Sequence, residues 1–325
     1  MTLCRVAVIA AVMGLGAASH VAAQEALESQ ILAALDQAFG LHQGFRPNHA
    51  KGVVVEGRFT ATPEAKALSK AKLFDGGPTP VTGRFSDSTG IPDLPDGSPF
   101  ANPHGMAVKF KQADGVESDM VLVSLKTFPV ATGEDFRDMF MAIAKSPPDA
   151  AKPTAFDQFL AAHPAAPPAF ASAATPDSFA DEEYRSLSAF MLVNADGKRQ
   201  PVRFIMAPEK LVHLDPADAA KRNRNFLFTD LAERLKAGPV TFHLKAQLAQ
   251  PGDPTNDATK GWPAERQVVE LGTLTLDKIV PDSAAAEKAL LFLPGQLADG
   301  IETSDDPLTA IRDSTYAASF ARRSP

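Results

Sequence analysis

"GFRPNHAKGVVVEGRFTAT", residues 44–62, changes character at Gly52. Before that point come an arginine, a proline, an asparagine and a histidine, types that make turns and carry titratable groups. After it comes a β-branched and aromatic run, Val53 to Thr60, which reads as a strand. A histidine therefore stands just ahead of a strand, three residues after Arg46. The same grammar continues downstream. "PTPVTGRFS", "GMAVKFKQ" and "SDMVLVSL" are short, partly alternating runs divided by Gly, Pro and Asp. Up to about Val130 the chain reads as consecutive strands.

Helices flank this region. Residues 24–40 carry apolar side chains at helical spacing and stop at Gly40, and 133–147 reads as a second amphipathic helix. The Ala- and Pro-rich segment 148–182 reads as surface loops and short helices. Strands return in 188–208, a hairpin about an Asp-Gly turn. "FTDLAERLKAG" reads as a helix ending at Gly238. In 240–250, Val240, Phe242, Leu244, Ala246 and Leu248 share one face, which leaves His243 on the polar face. A last strand covers 267–277. Many antiparallel strands with helices between them predict an α+β fold, a barrel or sandwich with helical additions.

The chain has 325 residues, a net charge of −7 and a pI near 5.5. With no basic excess to meet phosphates, nucleic acid is excluded as the expected partner. Residues 1–23 read as a secretory signal: one early arginine, a short apolar run, and small residues up to Ala23. That run is too short for a membrane span. The expectation is an exported, periplasmic protein whose residues 24–325 form one domain with no membrane span. Cys4, the single cysteine, falls inside the signal. The mature chain is thus without disulfides, thiolate catalysis or zinc–thiolate sites. HExxH, phosphate-loop, GxSxG and dinucleotide patterns are also missing.

His49 has the residue type of a general acid–base, the usual task of a group titrating near neutrality. It also has the residue type of an ordinary structural histidine, and position alone does not decide. Arg46 and Arg84 have guanidinium forks that match carboxylates. In "IRDSTYAASFARRSP", Arg312 and Tyr316 fall one helical turn apart. A positive charge beside a phenol favours the phenolate as a rule, and tyrosinate is one known axial ligand of haem. Trp262 reads as a packing anchor.

The order of the motifs is more specific than any one of them. "RPNHAKGVVVEGRFTAT", "FDGGPTPVTGRFS", "NPHGMAVKF", "SDM", "FMLVNADG", "WPAERQVVELGTLTL" and "DDPLTAIRDSTY" together resemble the haem catalases, from about residue 44 to the C-terminus. Within that superfamily the chain looks like the small, exported catalase-related peroxidases. The resemblance implies a catalase-like antiparallel β-barrel with peripheral helices, binding haem b and its iron. It implies an enzyme that reduces hydrogen peroxide or organic hydroperoxides with an electron donor it does not identify. By the same resemblance His49 is the distal acid–base, Ser86 orients its ring, and Val54 or a neighbour packs on the haem. Tyr316 is the iron ligand, Arg312 keeps its phenol ionised, and Asp306 is an acidic residue on the ligand side. Arg46, Arg84 and Arg323 bind the haem propionates.

Departures from the family pattern qualify the activity. Val123 and Ser124 stand where catalases carry an asparagine pair, so efficient dismutation of two peroxides is not expected unless Ser124 substitutes. Phe128 is the nearest match to a distal aromatic, and Ser188 stands in place of a ligand-side histidine. Two other readings share these motifs: a haem enzyme acting on lipid hydroperoxides, and a non-catalytic haem-binding module. The oligomeric state is not encoded in any of these motifs.

Overall fold

A computed structural model describes residues 25–323; the signal segment 1–23 lies outside the described residues. The strands are β1 (Gly52–Ala61), β2 (Pro78–Asp87), β3 (His104–Lys111), β4 (Glu117–Val123), β5 (Tyr184–Arg185), β6 (Phe190–Val193), β7 (Arg199–Pro208), β8 (Val240–Leu248), β9 (Val268–Ile279) and β10 (Ile301–Thr303). The helices are α1 (Leu27–Phe39), α2 (Pro63–Leu68), α3 (Gly133–Ala144), α4 (Ala155–Ala162), α5 (Ala166–Ala171), α6 (Pro216–Ala219), α7 (Phe226–Ala237), α8 (Ser283–Ala289) and α9 (Pro307–Arg323). No helix among them is long and apolar enough to cross a membrane.

All pairings between these strands are antiparallel. The order β7–β5–β4–β3–β2–β1–β9–β8 closes on itself through β7–β8. This is an eight-stranded barrel, with β6 and β10 extending the sheet from β7. Closure removes the open edges a flat sheet would expose. Strand alternation assigns the two faces. Val53, Val55, Phe85, Met106, Val108 and Leu122 point into the barrel and are buried in its core. Phe85 stacks on Phe179 at 5.4 Å there, and full burial of one such ring contributes on the order of 2–3 kcal/mol. Residues of the opposite parity, including Arg84, Ser86, Ala107 and Val121, face outward.

That outward face is covered by helices. α1, α3 and α4 share a second apolar cluster around Ile31, Leu35, Met139, Phe140 and Phe159. α3 is capped by Thr132, whose Oγ1 accepts from the Asp135 N–H at 3.1 Å. α9 begins at Pro307, and Asp306 Oδ1 accepts from the Leu308 N–H at 3.0 Å. The hairpin read in 188–208 is β6–β7, turning at Asp196-Gly197 with Gly197 at φ 78°. The segment 148–182 departs from its surface reading. Phe156, Leu160 and Phe170 turn inward against the α1–α3 cluster, because apolar rings on short helices need that cover.

Candidate active site

Strand register builds the site. Gly52 pairs with Ser86, Ser86 with Gly105, and Gly105 with Val123. One row thus crosses four strands at one rim of the barrel. His49, three residues ahead of Gly52, is delivered beside the end of β2 and the start of β3. Two residues inward, Val54, Arg84, Ala107 and Val121 form the next outward row. Between this face and the helices lies a cavity of about 770 Å³, within the range of ligand sites. Its walls are mostly apolar. α9 lines it with Leu308, Ile311, Arg312, Thr315, Tyr316, Ser319 and Arg323, steps of three and four that mark one helix face.

His49 adopts a left-handed backbone, φ 56°, uncommon for a residue with a side chain. Three contacts hold it. Its N–H donates to Asn48 Oδ1 at 3.1 Å, its carbonyl accepts from Arg84 Nη2 at 2.8 Å, and its Nδ1 lies 3.0 Å from Ser86 Oγ. Such strain persists where the surroundings over-determine it. Burial, and after it the charges of Arg84 and Arg46, push the imidazole down to about 3. The ring is therefore unprotonated near neutral pH, its lone pair free of a proton, although a free histidine would be partly protonated at its ordinary value.

Tyr316 lines the same cavity. Arg312 Nε stands 3.3 Å from its Oη, and the guanidinium lies 5.7 Å from the ring centre. The helical pairing read from the sequence is thus present in space.

Arg46, Arg84 and Arg323 converge at one edge. Burial, then Arg84 and Arg323, push Arg46 down to about 8, and Glu287 opposes this. Arg323 is pushed down to about 10, by burial first and by Arg84 next. Glu287 on α8 pairs with Arg84 at 3.2 Å and with Arg46 at 3.6 Å. The Leu290 carbonyl accepts from Arg46 at 3.0 Å and from Arg323 at 2.8 Å. Arg323 Nε is buried and has no hydrogen-bond partner among the described residues. Among the described residues, three cations facing one carboxylate leave an excess of two positive charges.

The other residues singled out in the sequence divide by their place relative to the cavity. Ser124 does not substitute for a distal amide: its Oγ accepts from the His104 N–H at 2.9 Å, and it points away from the cavity that Val123 and Leu125 line. Val54 is on the outward face but does not line the cavity; it lies under α8, its N–H bonded to Ser283 Oγ at 2.8 Å. Asp306 caps α9, off the cavity, and its Oδ2 has no partner among the described residues. Phe128 and Ser188 do line the cavity. Trp262 packs 4.6 Å from Arg203 and donates to Pro254 O, away from the site. His243 sits outside, between Glu270 at 2.9 Å and Glu209 at 3.0 Å. Sequence reading missed Glu287, Asn48 and Ser88. Only Ser88 left a signal, its two-residue spacing from Ser86.

The sequence model of the catalase family matches residues 44–324. A catalase-related peroxidase of Synechococcus elongatus is 36% identical over 90% of this chain and 88% of its own length. One from Mycolicibacterium paratuberculosis is 35% identical over 87% of this chain and 90% of its own. A catalase of Pseudomonas syringae is 30% identical, but the match spans only 55% of that protein. Among solved structures, a fungal catalase superposes with a TM-score of 0.76 at 21% identity, over 86% of this chain and 59% of that one. The barrel with its helical cover is the fold of these catalases, and the chain belongs to the catalase family.

Proposed function

We propose that the protein is a haem peroxidase that reduces hydroperoxides, with catalase turnover at most a minor side reaction. Catalases and catalase-related peroxidases are haem enzymes, and the cavity fits that group. Its apolar walls suit a macrocycle, its edge has an excess of two positive charges where a protoporphyrin carries two carboxylates, and a phenol stands on its wall. Arg46, Arg84 and Arg323 would hold the carboxylates and Tyr316 the iron. When bound, haem supplies the redox chemistry of peroxide reduction.

The chain's own residues then have separable tasks. Neutral His49 takes the proton of an incoming hydroperoxide and returns it to the departing oxygen, a use open only to an unprotonated ring. Ser86 fixes the ring through Nδ1. Arg312 holds Tyr316 Oη by a charge-assisted hydrogen bond. The apolar helices exclude water from the reacting oxygens and admit hydroperoxides with organic substituents as well as hydrogen peroxide. Val123 in place of an amide donor supports the low expected dismutation. The observation that carries the reading is a histidine held neutral in the same cavity as an arginine-paired tyrosine and three convergent arginines. We also propose export to the periplasm, supported by the charge, apolar run and small residues of 1–23; N-terminal sequencing of the cell-derived protein tests it.

The test of function is an absorption spectrum of the haem-supplemented protein beside Tyr316→Phe and His49→Ala. A ferric tyrosinate Soret band, altered in Tyr316→Phe and kept in His49→Ala, is expected. Peroxide should change it at least about 100-fold more slowly in His49→Ala. No haem band in the wild type would sink the proposal. A band indifferent to every peroxide would favour a binding module.

A further inference from the structure

Ser88 has no assigned task. It follows the last residue of β2, and by strand parity it faces the same way as Ser86. Its backbone is tied down: its N–H donates to Ala101 O at 2.9 Å, and the carbonyl of neighbouring Thr89 accepts from the Ala50 N–H at 2.8 Å. The second of these bonds joins it to the residue after His49. Its Oγ stands 3.3 Å from His49 Nε2. Both nitrogens of one imidazole are thus met by hydroxyls two residues apart, Ser86 at Nδ1 and Ser88 at Nε2.

A neutral imidazole has one N–H and one lone pair, and its partners decide which nitrogen bears which. Among the described residues, the side chain within hydrogen-bond distance of Nε2 is Ser88, not either nearby amide. Asn48 Oδ1 takes the His49 N–H, and Asn102 Nδ2 donates to Thr175 Oγ1 at 3.0 Å. Ser124 is turned off the cavity and Val123 has no polar side-chain atom. Ser88 is therefore the hydroxyl that answers Nε2, and it lines the cavity.

Resting on the peroxidase reading, we propose that Ser88 is a positioning residue: by donating its O–H to His49 Nε2 it fixes the tautomer with Nδ1–H on Ser86 and keeps the Nε2 lone pair ready for the hydroperoxide proton. An incoming hydroperoxide displaces the Ser88 hydroxyl from that lone pair and gives its own proton to Nε2. No bond of Ser88 is made or broken apart from this hydrogen bond.

The test uses haem-loaded wild type, Ser88→Ala and Ser88→Thr. Cumene hydroperoxide is the reactive probe, followed by the Soret change. Cyanide is the equilibrium probe, because hydrogen cyanide also surrenders a proton as its anion binds the iron. Resting spectra and haem content should match in all three. Ser88→Ala should react about tenfold more slowly and bind cyanide about tenfold more weakly, the loss expected for one hydrogen bond on a reacting base. Ser88→Thr, which keeps the hydroxyl, should return to within about threefold of wild type. An alanine variant equal to wild type by both probes would overturn the inference. So would a threonine variant as impaired as the alanine one, since volume rather than the hydroxyl would then matter. A wild type that takes up no haem would overturn the peroxidase reading itself, whereas a haem-loaded wild type with an unaffected Ser88→Ala overturns this inference alone.

Discussion

Gly105→Ala separates the site from the fold. Gly105 is in β3, opposite Ser86, and not at a left-handed φ, so the backbone accepts alanine. The added Cβ would lie 2.8 Å from Ser86 Oγ and 2.9 Å from His49 Nδ1 and Cε1. Ordinary contact begins at 3.4 Å, so the ring and hydroxyl must retreat by about half an ångström. Both contacts are to side-chain atoms, and the cost to stability should sit at the low end of overpacking, about 1 kcal/mol, a Tm change of about 2–4 °C. The same retreat stretches the Ser86 and Ser88 hydrogen bonds from 3.0 and 3.3 Å toward their limit. It also misplaces a proton acceptor on a scale where 1 Å costs about 100-fold. Expected are a normal Soret spectrum, a nearly normal Tm, and a kcat/KM for cumene hydroperoxide lowered about 10- to 100-fold. Full activity would refute the claim that the His49–Ser86 geometry matters. A large fall in Tm would also refute the reasoning, since the strand and not the imidazole would then have yielded.

Other consequences can be measured directly. Because His49 is depressed to about 3 by burial and neighbouring arginines, its basic form persists as pH falls through the ordinary histidine range. The rate with hydroperoxide should stay flat from pH 8 to about 5, and an acid limb near 6.5 would contradict this. Haem dimethyl ester lacks the carboxylates that the excess charge of Arg46, Arg84 and Arg323 would meet. It should bind at least about 100-fold more weakly than haem in a Soret titration, and equal affinities would remove the arginines from cofactor binding. At Gly52, a methyl group would collide with the guanidinium of Arg84 and with Glu287. Gly52→Ala should weaken haem binding by about tenfold or more, and an unchanged titration would show that the cluster is loosely held.

Much of this was legible in the sequence. Alternation gave the barrel strands because a half-buried sheet has period two, and β8 keeps Val240, Phe242, Leu244 and Ala246 buried. Arg46, Arg84, Arg312, Tyr316 and Arg323 were identifiable from motif order, and tertiary folding brings them to one cavity. What escaped was parity at strand ends. Ser124 lies just past β4, so a sequence match could not tell that Val123 and Leu125 face the cavity and Ser124 does not. Glu287 escaped for a different reason: a lone acidic residue on a short exposed helix has no signature until Arg46, from the loop ahead of β1, and Arg84, from β2, arrive beside it. The inward turn of Phe156 and Phe170 was hidden by an Ala- and Pro-rich composition that reads as surface.

The cavity draws on distant parts of the chain, His49 ahead of β1 and Tyr316 on α9. A nascent chain synthesised only as far as β9 already has the sequence for all eight barrel strands. It lacks the Glu287 clasp, the phenol and the helix that roofs the cavity. Contacts spanning most of a sequence form late. A polypeptide that stopped short of α9 would therefore lack one wall of the pocket and its phenol, which ties cofactor capture to the folding of the last helix onto the barrel.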